Sequence, residues 1–504
     1  MAILAAVDIG ANSVRLKIAR VVRKRLEVLH EDREVVRLGE SVFRTGALSP
    51  EAMELTVRLL RRFQKAAQAH GVTSARVVAT SALRDANNGA AFVQWVQAAI
   101  GWKVEVISGL EEGRLIHLGV TANTRPSAGR TLLIDLGGGS CELIVSNRGQ
   151  IERLYSLPLG AVRLTREFLK HDPPTDTELD QMSSYISEEV GRLRQKLTEH
   201  KIQHVVATSG TPAALREVYN ASLEEPQADV PRAALFRITH KLSTLDTLQR
   251  RALRGVGPRR AEIIVAGAHV FAELFTALEL ESFRYLPFGL RDGLLAQMAE
   301  DAANIGLRQK LDDERQNSIQ NLAEHYGVDE RFAQRVAEHV QKLFKLLAPV
   351  HRLPAEYAGL LHAAAMLHEV GSFINRAGRR RHAWYILAHS ELLGFSPAQR
   401  RMVAALARYL GKSKIVPTSQ AVRLLTPADR VLLPRGVALL RLARALEQGR
   451  RGAVLTVKAK LTAHNVLLTL ETKSAGAELE LWALEKERAY FFEIFGRELS
   501  CAEA

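Results

Sequence analysis

An apolar run over residues 3–10 opens the chain and passes directly into an apolar/polar alternation over residues 14–18. The run ends in Asp8-Ile9-Gly10 and turns through Ala11-Asn12-Ser13, a pattern that predicts a β-hairpin. The same pattern returns as Ile134-Asp135-Leu136-Gly137-Gly138-Gly139-Ser140, followed by Cys141-Glu142-Leu143-Ile144-Val145. A second landmark repeats in the same order, Val77-Val78-Ala79-Thr80-Ser81 recurring as Val205-Val206-Ala207-Thr208-Ser209. Two landmarks at nearly equal offsets imply two copies of one domain. In each copy a third strand follows (residues 26–38 and 150–158), and then a helix. Ser49-Pro50-Glu51 opens the first helix as cap and first-turn proline; Thr175 or Asp176 opens the second, which reaches about residue 201. Strands mixed with helices in this order predict an α/β fold with a partly antiparallel sheet.

From about Leu311 the pattern becomes almost wholly helical, with apolar residues at three- and four-residue spacing over 332–347 and 357–367. Pro417, Pro427 and Pro434 then punctuate the chain. The tail reads as strand, strand, helix over 465–470, 478–484 and 485–499. These changes divide the chain into four expected domains: 1–125, 126–305, 306–425 and 426–504.

Composition narrows the partners. Hydrophobic residues make up 47% and charged residues 25%, the balance of a soluble protein. No apolar run approaches the ~20 residues needed to span a bilayer, and the opening strand has no leader before it, so the expected location is cytoplasmic. Two cysteines, Cys141 and Cys501, exclude a disulfide framework. A formal net charge of +14 favours a polyanion as partner. No nucleic-acid reader motif or aromatic platform accompanies that charge, which argues against specific nucleic-acid binding.

The two glycine turns carry the candidate chemistry. Glycines let backbone approach a ligand closely, and successive N–H groups form an anion nest. An aspartate at the strand end can hold hydrated Mg²⁺ against phosphate oxygens. Neither a GxxxxGK[ST] loop nor a helix-opening GxGxxG is present.

Paired Asp-x-Gly hairpins in a duplicated domain resemble the ribonuclease H-like ATPase fold shared by actin and the acetate and sugar kinases. A closer resemblance is carried by Ile107-Ser108-Gly109-Leu110-Glu111-Glu112-Gly113-Arg114-Leu115-Ile116 together with the second hairpin. Thr80-Ser81-Ala82-Leu83-Arg84-Asp85-Ala86 and Leu286-Pro287-Phe288-Gly289-Leu290-Arg291-Asp292-Gly293 add to it. Over about residues 1–300 these motifs resemble the exopolyphosphatase/guanosine pentaphosphate phosphohydrolase (Ppx/GppA) family.

That resemblance implies Glu112 as the general base that activates water, although an acidic pair in a first helical turn also reads as a helix cap. It implies Mg²⁺, with Mn²⁺ as a substitute, on Asp8, Asp135 and Glu142, and Arg84 on the phosphates. Asp135 is thereby also counted as catalytic. Asn12, Ser13, Gly137, Gly138, Gly139, Ser140, Ser209, Gly210 and Thr211 would supply phosphate-loop donors. Pro212 stands where a kinase would build its adenosine pocket. The implied reaction is hydrolytic release of orthophosphate from inorganic polyphosphate, by a homodimer. Hydrolysis of guanosine pentaphosphate (pppGpp) and turnover-free phosphate sensing are the rivals. A basic track for a chain substrate has four candidates: Arg23-Lys24-Arg25, Arg250-Arg251, Arg259-Arg260 and Arg379-Arg380-Arg381.

The helical part, with His339, His368-Glu369, His382 and His389, resembles an HD phosphohydrolase domain followed by a small α+β tail. Glu369 stands where that domain's aspartate belongs, so a degenerate, structural or substrate-channel role is expected rather than a working metal centre.

Overall fold

The computed structural model describes residues 2–22, 25–303, 307–390, 392–411, 414–473 and 476–503, side chains of 302–313 aside. The chain divides into two compact units, Met1–Arg308 and Gln309–Ala504.

Unit one contains two sheets built on one plan. The first holds β1 (Ile3–Ile9), β2 (Ser13–Val22), β3 (Arg25–Val35), β4 (Ser74–Ala79) and β5 (Val104–Val106) in the order β3-β2-β1-β4-β5. The second holds β6 (Arg130–Leu136), β7 (Cys141–Asn147), β8 (Gln150–Leu157), β9 (His204–Thr208), β10 (Asp229–Pro231) and β11 (Ser282–Tyr285). Read from β8, its order is β8-β7-β6-β9-β11-β10, the first plan with one strand added at the edge. In both, the hairpin pairs are antiparallel, while β1 with β4 and β6 with β9 run parallel. Asp8 pairs with Val78 in the first copy and Asp135 with Thr208 in the second, a slip of two positions. An even slip keeps every side chain on its own face, so the repeat tolerates it.

Local signals fix the long helices. Ser49 accepts a hydrogen bond from the Ala52 N–H at the start of the helix Pro50–Ala69. Thr175 and Glu178 form a reciprocal capping box on the helix Asp176–Thr198. Each lobe has its own core: Val7, Leu16, Leu60, Phe63 and Phe92 in the first, Ile134, Leu143, Phe271, Phe275 and Phe283 in the second.

Unit two is helical up to Ala445 and closes on a three-stranded sheet, β12 (Val454–Leu461), β13 (Asn465–Thr472) and β14 (Glu498–Glu503). One core extends from Ile319 to Leu499, joining helices and sheet. The helix Tyr357–Leu367 has the bounds its periodicity predicts. The tail differs from its expectation: Glu478–Glu485 is a helix, and strands lie at 454–461 and 498–503. Glu-Leu-Glu-Leu-Trp alternates like a strand, but Glu, Leu and Ala are strong helix formers. Glu480 is moreover buried and accepts the Gly449 N–H. Pro434 lies inside the helix Pro427–Ala445 rather than ending one. No helix among the described residues is long and apolar enough to cross a membrane.

Candidate active site

Both glycine hairpins close in the same way. Gly10 N–H donates to the Ser13 carbonyl at 3.1 Å and Gly137 N–H to the Ser140 carbonyl at 3.0 Å. Loop carbonyls turn away into the segment that follows: Ala11 accepts from Gly39 N–H, and Gly138 from Val162 and Arg163 N–H. That leaves the loop N–H groups other than those of Gly10 and Gly137 as the donors available to an anion. The two loops also meet, since a Cβ on Gly138 would lie 3.2 Å from both Ala11 Cβ and Asn12 N. Gly139 is tighter still: a Cβ there would fall 2.2 Å from Ser81 Oγ.

Between the lobes of unit one lies a cleft of about 110 Å³. Of the residues expected from sequence, Asp8, Asn12, Ser13, Glu112, Asp135, Gly137, Gly138, Ser140 and Ser209 line it. Arg84, Gly139, Glu142, Gly210 and Thr211 do not. Arg84 stands behind Glu112, its Nη1 3.5 Å from Glu112 Oε2 and 2.8 Å from the Ile107 carbonyl. Gly139 is packed on Ser81, and Gly210 lies under the Arg260 guanidinium. Thr211 is buried beside Gly267. Glu142 is buried and accepts the Ser156 hydroxyl at 2.8 Å.

Glu112 enters from the first turn of the helix Gly109–Asn123, which Ser108 caps by accepting the Glu111 N–H. Its neighbour Glu111 turns aside to pair with Arg114 at 2.8 Å, so the two acids separate into one cleft group and one structural group. Burial pushes the Glu112 carboxyl well above the usual range, Glu142, Asp8 and Asp135 push the same way, and Arg84 opposes. Asp8 and Asp135 are also raised, by burial first. The Ser209 hydroxyl, donated to Asp135, and Arg15 pull Asp135 back. Glu142 is pushed up to about 8 by burial and by Asp135. Ser209 itself holds φ 77°, in the left-handed region, where it starts the helix Gly210–Asn220.

Facing these acids is a group of arginines that the motifs did not reveal. Arg15 and Arg33 sit directly opposite each other across β2 and β3. Like charges in that position destabilise a sheet. Arg33 Nε is buried with no hydrogen-bond partner among the described residues. Burial, with Arg15, Arg260, Arg259 and Arg291 around it, lowers the Arg33 guanidinium to about 9. Arg291 lines the cleft and donates to the Leu16 carbonyl at 2.9 Å. It lies in the first turn of the helix Leu290–Ala303, whose start is held by Asp292, which accepts from Lys17 at 2.7 Å and from Gly289 N–H at 2.9 Å. Strand register, absent from any linear motif, is what brings Arg15 and Arg33 together. Thr80, Ser81 and Gly289 were within quoted motifs, and the structure adds them to the lining.

Of the expected basic track, Arg259 and Arg260 belong to this group. Arg250 is buried against Asp172 and backbone carbonyls, a structural role, and Arg251 pairs with Glu262 at 3.5 Å. Arg23 and Lys24 lie outside the described residues.

In unit two, Glu447 accepts from Arg335 Nε at 2.9 Å and faces His339 Nε2 at 3.4 Å, and Glu369 pairs with Arg450. His368 shares Nδ1 with the Ala365 carbonyl at 2.7 Å, and His389 with Tyr385. His382 lies beside Gly378. Among the described residues no three His, Cys, Asp or Glu side chains come together as a metal cage anywhere.

A duplicated α/β unit whose glycine hairpins hold carboxylates opposite arginines has the makings of a phosphohydrolase. The model of the Ppx/GppA phosphatase family matches residues 17–302, and that of the family's domain III matches 315–488. The chain belongs to the Ppx/GppA phosphatase family and is a hydrolase acting on phosphoanhydride bonds. Among solved structures it is similar to a Ppx/GppA family member from Aquifex aeolicus, at 28% identity and a TM-score of 0.51. That match covers 60% of this chain and 98% of the other. An exopolyphosphatase-like protein matches at 27% identity and a TM-score of 0.56, covering 60% and 99%. An exopolyphosphatase from Cytophaga hutchinsonii shares the fold at 24% identity and a TM-score of 0.56, covering 59% and 98%.

Proposed function

We propose that this chain releases terminal orthophosphate from inorganic polyphosphate by Mg²⁺-dependent hydrolysis, with Glu112 as general base. The observation that carries the reading is the pair Arg15 and Arg291 lining the cleft that Glu112 enters, with Arg33 and Arg260 grouped beside Arg15. A single phosphoryl group does not need so much positive charge; a chain carrying a charge on every phosphate does. The lining carries one aromatic side chain, Phe288, a poor platform for a guanine base.

Glu112 takes a proton from the attacking water, and the bond from the terminal phosphorus to the bridging oxygen breaks through a loose transition state. Charge spreading over the oxygens meets the arginines and the N–H groups of both loops. Asp8 and Asp135 suit Mg²⁺, a cation satisfied by one or two carboxylates together with water and substrate oxygens rather than by a full protein cage. Bound there, Mg²⁺ would neutralise phosphate charge. Glu142, occupied by Ser156 and off the cleft surface, is assigned to tuning Glu112 rather than to the ligand set.

The test is phosphate release from long-chain polyphosphate and from pppGpp, side by side, with Mg²⁺ and after chelation. Faster release from the polymer, lost on chelation and in Glu112→Gln, supports the proposal. Faster release from pppGpp transfers the same site to the nucleotide substrate. Binding without release from either overturns the mechanism.

A further inference from the structure

Unit two holds a second concentration of positive charge that the cleft chemistry does not use. A pocket of about 290 Å³ is lined by Arg380, Arg441, Arg444 and Lys486, with Trp482 in its wall. A neighbouring pocket of about 380 Å³ shares Arg380 and adds Arg376, Arg379, Arg381 and Arg408. Among the described residues Glu487 is the one carboxylate lining the first pocket, and it is taken by Arg441 at 2.6 Å. No carboxylate among the described residues lines the second. Among the described residues, no ion pair involves Arg376, Arg379, Arg380, Arg381, Arg408 or Arg444.

A merely solvated surface does not account for this arrangement. Arg379, Arg380, Arg441 and Arg444 are each half-buried. Burial disfavours the charge on Arg380, and then Arg444, Arg379, Arg441 and Arg408 add their repulsion. Arg380 is also seated: a Cβ on Gly411 would fall 1.8 Å from its guanidinium carbon, so the side chain packs on bare backbone. Holding like charges together with so little compensation costs stability unless an anion joins them. Guanidinium forks match the paired oxygens of phosphates and carboxylates, and several forks together favour an anion that carries several charges. Trp482 adds a different preference. It is 52% exposed at the edge of the charged pocket, and Lys486 Nζ lies over one side of its ring, 4.0 Å from the centroid, so a base would stack on the other side.

We propose that this pocket binds a nucleoside polyphosphate, with the phosphates on Arg380, Arg444 and their neighbours and the base stacked on Trp482. The site is independent of the reading given above for the cleft, and among the described residues its one carboxylate, Glu487, is held by Arg441, so the role proposed is binding without turnover.

Titration calorimetry on the full chain carrying Glu112→Gln, at about 0.15 M salt, tests it with GTP and with tripolyphosphate. GTP is expected to fill one more site in this parent than in the parent with Arg380→Ser and Arg444→Ser. Gly411→Ala, which displaces Arg380 without removing charge, is expected to weaken the same site. Trp482→Leu should weaken GTP there about tenfold, the scale of one stacked base, and leave tripolyphosphate unchanged. An unchanged circular dichroism spectrum and a cooperative thermal transition in the chain carrying Arg380→Ser and Arg444→Ser show that the fold is intact. Equal stoichiometry in parent and double variant overturns the site. Loss of both ligands alike in Trp482→Leu, or of neither, overturns the nucleotide assignment.

Discussion

Unit one and unit two each collect acidic side chains among arginines, and they treat them in opposite ways. In unit two the acids described above are closed off: Glu447 by Arg335 and His339, Glu369 by Arg450, Glu487 by Arg441. Glu447 is accordingly held below the usual carboxyl range, as His339 and Arg335 outweigh its burial. In the cleft of unit one, Asp8, Asp135 and Glu112 are raised above that range. Arg84 reaches Glu112 only at 3.5 Å, and Arg33 is left with a buried, unbonded Nε. Satisfied charges hold a structure together. Unsatisfied ones, kept apart at a cost, are what a substrate completes.

Glu112→Gln should break the comparison most severely on the unit-one side. The amide keeps the shape of the carboxyl and cannot accept the water's proton, so phosphate release should fall about 10²- to 10⁴-fold. Unfolding midpoints should not drop, because the variant relieves the repulsion from Glu142, Asp8 and Asp135. A collapse in stability without a specific loss of turnover would make Glu112 structural.

Arg335→Met applies the opposite test to unit two. Glu447 has no side-chain exposure, and without Arg335 it keeps only His339. Orphaning a buried charge costs about 3 kcal/mol. The denaturant midpoint of unit two should fall accordingly, while phosphate release at 25 °C stays near the wild-type rate. Undiminished stability would mean that these pairs do not hold the unit, and the contrast with the cleft would fail.

Why one site could be read from the chain and the other features could not follows from these same residues. Both hairpins, the capping of Pro50–Ala69 and Asp176–Thr198, and the placement of Glu112 at a helix start rest on local patterns, where backbone geometry and sequence spacing coincide. Arg15 and Arg33 lie eighteen positions apart in the chain and become neighbours through the β2–β3 register, with a bulge between Ile18 and Ala19. No spacing rule predicts that pairing. The motif around Arg84 implies a phosphate ligand, whereas the fold ties its guanidinium to the Ile107 carbonyl behind Glu112. Glu478–Glu485 misled for a different reason: its alternation satisfies the strand pattern, while propensity and the buried Glu480 decide for helix.

Arg33→Met sharpens the comparison at lower amplitude, because it should move two quantities in opposite directions. Removing one guanidinium from the facing pair Arg15–Arg33 relieves like-charge repulsion, so the unliganded protein should gain on the order of 0.5 kcal/mol. The same change should raise the KM for polyphosphate about tenfold and weaken its dependence on salt. Stability and affinity falling together would show that Arg33 is a structural residue like Arg335.

The smallest expected effect concerns acid, and it separates two kinds of buried carboxylate within unit one. Burial would raise Glu178, but the N–H groups of Thr175 and Lys170, with His171, outweigh it and bring the carboxyl down to about 2. A folded value below the unfolded one means that the unfolded chain binds the proton more readily. The stability Glu178 contributes is therefore complete above about pH 4.5 and lost as pH falls toward 2. Glu178→Gln should then lower the urea midpoint at pH 6 and approach wild type at pH 3. A carboxylate raised by burial, as in the cleft, has the reverse sign: its contribution is present in acid and lost as pH rises. A constant gap between variant and wild type across that range would mean that Glu178 acts through packing and not through its charge.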